Sequence, residues 1–489
     1  MSHRGETDHE DNMDGASPLT ALALPPIEED QRRHQRELES QNEEAFITGL
    51  ERPEFADELA GSASEAALPP PIESSMISTR EHQLSLESME THTAGADREH
   101  SEFATKLYTI SYLIFFAIFG ALARVGLTAL TYYSGAPITT SVTWANVGGC
   151  LLMGFFSEDQ SLFQEEWGSI HHLQEKNTNS ASSSGQSASS HAPQRAGTNE
   201  ASSAEERKTR HNAIKKTIPL YIGLTTGFCG SFTSFSSFMV DAMLALSNDL
   251  PNPNTPSISP RNGGYSFMAV VAVILYTISL SLSSFIFGAH LALVMERFLP
   301  TIPFDLMRKF IDRSIVCLAF GCWVGSIFLA LWPPDRHNHI TEQTWRGRAV
   351  FAVVFAPLGC LFRFYVSILL NSRVPTFPLG TFVTNMVGTL VMAMCFDLQH
   401  AGSVVASTAW SSGNSSSFHQ LIGCQVLKGV MDGFCGCATT VSTWVAELHS
   451  LKLKHAYLYG IISVGLALAF LIVTIGSMRW TVGLAEPVC

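Results

Sequence analysis

Several absences narrow the possibilities first. The first 105 residues contain no lysine, and only seven arginines stand against 24 aspartates and glutamates. They show no apolar periodicity and are expected to form an acidic, disordered tail. No basic stretch there leads into an apolar core, so no secretory signal peptide is expected. The histidines of the tail are scattered without ligand spacing. Ten cysteines occur without a single Cys-x-x-Cys pair, and nine lie in or beside apolar runs. They read as small packing residues in place of a zinc site or a disulfide framework. No nucleophile–base pattern or metal-hydrolase spacing is found, which argues against an enzyme. The tail accounts for more than the whole net charge of −13, leaving the rest mildly basic with nothing that marks a nucleic-acid surface.

What remains is apolar in blocks. About nine segments have the roughly 20 largely apolar residues that a bilayer crossing needs. They fall near 107–133, 138–157, 218–246, 266–296, 313–333, 349–371, 376–398, 421–447 and 456–479. The fold class is therefore an all-α integral membrane protein in a lipid bilayer. A Ser/Asn/Gln/Glu-rich insert, 158–216, separates the second and third spans and reads as a flexible loop. Basic residues in the short loops (Arg297, Arg308, Lys309, Arg313, Arg373, Lys452, Lys454) place the N-terminus in the cytoplasm. Arg336, Arg346 and Arg348 run against that bias. Asn414-Ser415-Ser416 would then be an external glycosylation acceptor.

The spans repeat. Gly120-x-x-x-Arg124 recurs as Gly359-x-x-x-Arg363, and Asn146-x-x-Gly149 as Asn385-x-x-Gly388; Arg and Asn are 22 residues apart in both. Gly227-Phe228-Cys229-Gly230 recurs as Gly433-Phe434-Cys435-Gly436. The plan is two four-helix repeats joined by one linker helix, and a single connecting span inverts the second repeat. The units are the tail 1–105, a first repeat 106–297, a linker 298–346 and a second repeat 347–482.

The carboxylates noted in the spans (Asp241, Glu296, Asp397, Glu447) sit near span ends. Proton-coupled carriers use a buried carboxylate relay, so this favours passive conduction. What the spans do offer suits a small anion. Asn146 and Asn385 carry amide donors, and Ser236, Ser237, Ser442 and Thr443 carry hydroxyls. Phe235 and Phe238 share a helical face and present ring edges with positive partial charge. Neutral donors can replace a hydration shell without holding the ion too tightly. The bland alternative is that Asn is interhelical glue and Phe is packing. Arg124 and Arg363 either snorkel at helix ends or form a vestibule that concentrates anions. The Gly-Phe-Cys-Gly pairs either break their helices, freeing carbonyls for a cation, or only permit close helix crossing.

Gly-x-x-x-Arg, Asn-x-x-Gly and Gly-x-x-Gly-x-x-Thr-[ST]-Phe-Ser-x-Phe together resemble the fluoride channel family (bacterial Fluc/CrcB, eukaryotic FEX). The resemblance covers most of 107–479. It implies passive F⁻ export through narrow pores lined by the span-two Asn, the span-three Phe, and Ser/Thr from spans three and four, Ser279 and Ser283 among the latter. It further implies a single-chain pseudo-dimer in the plasma membrane and a central structural Na⁺ on the carbonyls of Gly230, Thr233, Gly436 and Thr439. Val441 and Trp444 replace Phe235 and Phe238 in the second repeat, and the last span is poor in hydroxyls. One conducting path is therefore expected, with Trp444 less important than the phenylalanines. The approach Pro378-Leu379-Gly380-Thr381, lost before Asn146, tilts the choice of amide toward Asn385. An inverted-repeat secondary carrier for another small ion and a membrane scaffold remain as alternatives.

Overall fold

The computed structural model describes residues 87–163 apart from 135 and 139, then 215–251, 261–303, 306–332, 344–401 and 415–485. Every regular element among them is helical. In chain order they are α1 (Glu87–Thr131), α2 (Thr143–Glu158), α3 (219–232), α4 (Phe235–Ser247) and α5 (Gly263–Met295). Then follow α6 (Met307–Leu331), α7 (Thr344–Asn371), α8 (Leu379–His400), α9 (415–438), α10 (Ser442–Ser450) and α11 (Leu453–Thr481).

Among the described residues, seven helical stretches are long and apolar enough to cross a membrane: the 103–131 part of α1, α3 with α4, α5, α6, the 349–371 part of α7, α8 and α11. Two of the nine expected spans are not among the seven. The 16 residues of α2 are too few, and the side chains of α9 are described only from 422 on; that helix carries Lys428 and Asp432 in its interior. Asp432 also departs from the expectation that span carboxylates lie near ends. It pairs with Lys428 at 3.2 Å, one helical turn away.

Four further expectations are corrected or bounded. Helix α1 begins at Glu87, inside the stretch read as a disordered tail; residues 1–86 lie outside the described residues. Most of the insert, 164–214, lies outside them too, but its ends are built. Lys215, 2 % exposed, donates to the carbonyls of Asp159 and of Ser157, the latter at 3.3 Å. Cys424 is disulfide-bonded, its partner lying outside the described residues, so not every cysteine is a packing residue. The Asn414-Ser415-Ser416 site begins outside the described residues.

Lipid tails are as apolar as leucine, so helix association in a bilayer rests on close packing and hydrogen bonds. The tightest seam joins α2 to α5. A Cβ on Gly154 would lie 1.9 Å from the carbonyl oxygen of Phe285, and one on Gly288 1.9 Å from that of Leu151. The main core gathers side chains from both repeats, including Phe235, Phe238 and Met243 from the first and Trp444, Tyr459 and Leu471 from the second.

Candidate functional site

The centre is built where α3 gives way to α4 and α9 to α10. Each Gly-Phe-Cys-Gly stretch stays helical. It is wound as a π-helix over Gly223–Cys229 and Val430–Cys435 and returns to α-helical winding at Gly230 and Gly436. The chain leaves the helix three residues later, at Thr233 (φ −90, ψ 154) and Thr439 (φ −97, ψ 150). The glycines serve close approach instead. A Cβ on Gly230 would lie 2.4 Å from the Arg363 guanidinium, and one on Gly436 2.2 Å from that of Arg124.

The two asparagines hold the breaks open. Asn146 Oδ1 accepts from the Ser234 N–H at 2.9 Å, and Asn385 Oδ1 from the Thr440 N–H at 2.9 Å. These N–H groups stand four residues after Gly230 and Gly436, so the glycine carbonyls lose their usual helical donors. Gly436 recovers one from Arg124 at 2.7 Å. The amides differ at their other end. Asn385 Nδ2 donates to the Thr440 carbonyl at 3.3 Å, whereas Asn146 Nδ2 is buried with no acceptor among the described residues.

Each break threonine caps a helix of the opposite repeat. Thr233 Oγ1 accepts from the N–H groups of Val441 (3.2 Å) and Ser442 (3.1 Å) at the start of α10, whose N-cap residue Val441 has no side-chain acceptor. Thr439 Oγ1 accepts from the Ser236 N–H at 3.1 Å, at the start of α4. This is N-capping in trans. Ser236 and Ser442 are consumed in the same lattice: Ser236 Oγ lies 2.9 Å from Thr439 Oγ1, and Ser442 Oγ donates to the Cys229 carbonyl at 3.1 Å.

The predicted donors therefore divide. Ser236 and Ser442 tie the repeats together, while Ser237 and Thr443, one residue on, line two cavities. The first, about 410 Å³, is bounded by Arg124, Ser141, Ser237, Asp241, Lys428 and Asp432. The second, about 460 Å³, is bounded by Lys106, Thr109, Lys216, Arg363, Asn371 and Thr443. Arg124 and Arg363 face one cavity each, yet both are buried and spend their donors on carbonyls. Arg124 bonds Ser231, Gly436 and Asp432; Arg363 bonds Cys437 at 3.0 Å and Thr226 at 2.7 Å. Phe235 and Phe238 are buried edge to face at 5.8 Å, and Phe235 also meets Trp444 at 5.4 Å. Ser279 and Ser283 are exposed on the outer face of α5, so they do not line the interior. The inward hydroxyls of α5 are Thr277 and Ser281, four apart and buried.

The sequence reading missed a pair of buried carboxylate clusters. Asp241 and Glu447 each stand eleven residues after the last glycine of their motif. Asp241 accepts from the N–H and hydroxyl of Ser141, both at 2.9 Å through Oδ2. Glu447 accepts from Thr381 Oγ1 at 2.5 Å and Tyr459 OH at 2.8 Å. The matched spacing was a signal available in the sequence.

The break threonines, the asparagine locks and the crossing arginines recur in both halves, and they define a two-repeat helical membrane protein with a hydroxyl-lined centre. The chain belongs to the CrcB-like protein family (Camphor Resistance, CrcB), whose model matches residues 111–289 and 350–476. It is 51 % identical over 397 residues to Fluoride export protein 1 of Neurospora crassa, covering 80 % of this chain and 70 % of that one. It is 34 % identical over 370 residues to Fluoride export protein 1 of Candida albicans, covering 75 % and 79 %. The Fluoride-specific ion channel FluC of Pseudomonas paraeruginosa is 30 % identical over 141 residues, 98 % of its own length but 28 % of this chain. No solved structure matches.

Proposed function

We propose that this chain is a passive, fluoride-selective channel that lets F⁻ leave the cytoplasm across the plasma membrane. The observation that carries this reading is the unpaired amide nitrogen of Asn146, buried where Oδ1 of the same side chain holds the Ser234 N–H, one residue before Phe235. A buried donor without an acceptor costs about 1–3 kcal/mol, and a bare anion removes that cost. Neutral amide, hydroxyl and ring-edge donors replace hydration without a trapping charge. The relatives named for fluoride export and for a fluoride-specific channel support the same ion. An inside-negative potential drives an anion outward with about 2.3 kcal/mol per charge per 100 mV.

The proposal places nine crossings in an inverted pseudo-dimer with its N-terminus in the cytoplasm. The matched contacts of the two halves support the pseudo-symmetry. A disulfide at Cys424, near the start of the eighth expected span, suits an oxidising exterior and supports the orientation. One path conducts, and Asn146 serves it, because its amide nitrogen has no acceptor among the described residues, whereas that of Asn385 already donates to the Thr440 carbonyl. Thr233 and Thr439 leave the helical ladder at the centre, so their carbonyls suit a sodium ion. Gly230 adds a third oxygen, while the Gly436 oxygen is shared with Arg124. Such an ion would tie the halves through hard oxygen ligands.

Efflux from liposomes containing only the purified polypeptide tests the reading. Fluoride should leave under a voltage with no counter-substrate, and chloride should stay. Vesicles that retain fluoride, or lose chloride equally fast, would end it.

A further inference from the structure

A second buried donor near the break also lacks an acceptor. Trp444 is 1 % exposed, and its indole Nε1–H meets no acceptor among the described residues. Buried tryptophan N–H groups ordinarily find a partner. Its position makes the exception informative. The indole packs edge-on against Phe235 with centroids 5.4 Å apart and planes at 65°. Phe235 directly follows Ser234, whose N–H is held by Asn146. The two residues with unsatisfied donors, Asn146 and Trp444, therefore both contact the Ser234–Phe235 segment, one through the Ser234 N–H and the other through the Phe235 ring. Helix α10, which carries Trp444, packs against α2, which carries Asn146.

Trp444 occupies the place that Phe238 holds in the first repeat, eight residues after the last motif glycine. A phenyl ring offers only a weakly positive edge, whereas an indole offers a full N–H donor. Read from the sequence, the exchange looks like decay of one repeat. In the structure it adds a buried donor on a side chain packed against the Phe235 ring.

We propose that the Trp444 indole N–H donates a hydrogen bond to the permeating fluoride, next to Asn146 and Phe235, and so sets selectivity for this small, strongly accepting halide. The inference rests on the fluoride-channel reading, and it reverses the expectation that Trp444 is dispensable. A residue that only filled space would tolerate a ring of similar shape without an N–H.

The test compares the full chain with Trp444→Phe in liposomes, using the exposed Trp480→Phe as control. Trp444→Phe should keep its melting temperature and lose fluoride efflux on the order of tenfold, the worth of one buried hydrogen bond; Trp480→Phe should match the parent. Unchanged efflux from Trp444→Phe overturns the inference and leaves the channel reading standing. No efflux from the parent chain sinks the reading itself. If Trp444→Phe is not monodisperse, the indole ¹⁵N–¹H resonances of the parent decide. The chain has eight tryptophans, and Trp→Phe at the other seven assigns the remaining signal. That signal should move with NaF and stay fixed with NaCl; no movement overturns the inference.

Discussion

The Arg124 guanidinium reaches the Gly436 carbonyl at 2.7 Å, although the two are 312 positions apart in the chain. Arg363 makes the return journey to Thr226. Each arginine thus satisfies backbone of the opposite repeat, where a bilayer supplies no water to do so.

Removing that guanidinium strands the carbonyls of Ser231, Gly436 and Asp432. At about 1–3 kcal/mol for each buried group, Arg124→Leu should cost at least ~3 kcal/mol of stability. Arg124→Lys should fall between, because an ammonium lacks the planar fork. Melting of the purified protein measures both; a leucine variant as stable as the parent would contradict the assignment.

Asn146 and Asn385 make the same bond to the break but differ in what is left over. Asn146→Ala and Asn385→Ala should both lower the melting temperature, each losing a buried N–H acceptor at roughly 1–2 kcal/mol, and Asn385→Ala the more, since it also loses the bond to the Thr440 carbonyl. Only Asn146→Ala should also abolish fluoride efflux. Equal losses of efflux would refute the single path.

The α2–α5 seam has no room for a methyl group. In Gly154→Ala the new carbon meets a backbone oxygen at 1.9 Å, which cannot swing aside. Overpacking of this kind costs typically 1–3 kcal/mol, so a lower melting temperature is expected. Gly126, with nothing within 4 Å, is the control. Gly126→Ala should be neutral or stabilising by up to about 1 kcal/mol, since alanine favours a helix.

Lys215 joins the two ends of the 158–216 insert outside the membrane spans. Burial pushes its ammonium down from 10.5 to about 8, opposed by Asp159 and then Glu158. The unfolded chain keeps that proton up to the ordinary lysine range, so between pH 8 and 10.5 it binds more protons than the folded protein. Unfolding free energy therefore rises with pH across that window. The parent should gain melting temperature between pH 8 and 10 relative to Lys215→Met. Parallel curves for the two proteins would show that the lysine is not buried in solution.

Much of this arrangement was legible in residue spacing. The 22-residue interval from Arg to Asn and the duplicated Gly-Phe-Cys-Gly located both breaks to within a few residues. Spacing could not say which way a hydroxyl faces. Helix α5 is apolar all round, so its sequence carries no stripe to mark an inner face, and the expected Ser279 and Ser283 face outward while Thr277 and Ser281 are buried. Nor could it separate Ser236 from Ser237: adjacent residues point a third of a turn apart, and only one reaches a cavity. The π-turns were hidden for a related reason. An extra residue per turn leaves no mark in composition, and the glycines that suggested a break were there to admit a guanidinium.

Trans-capping has a consequence for biogenesis. While the ribosome is still making α6, Thr233 has no α10 to cap, and Arg124 lacks two of its three carbonyl acceptors. A guanidinium at membrane depth costs about 2.5–3.5 kcal/mol by insertion scales. The early half must therefore wait in a provisional state until α9 and α10 are delivered. A stop codon anywhere before Thr439 would leave an orphan with no route to maturity, and quality control would recognise it as unfinished.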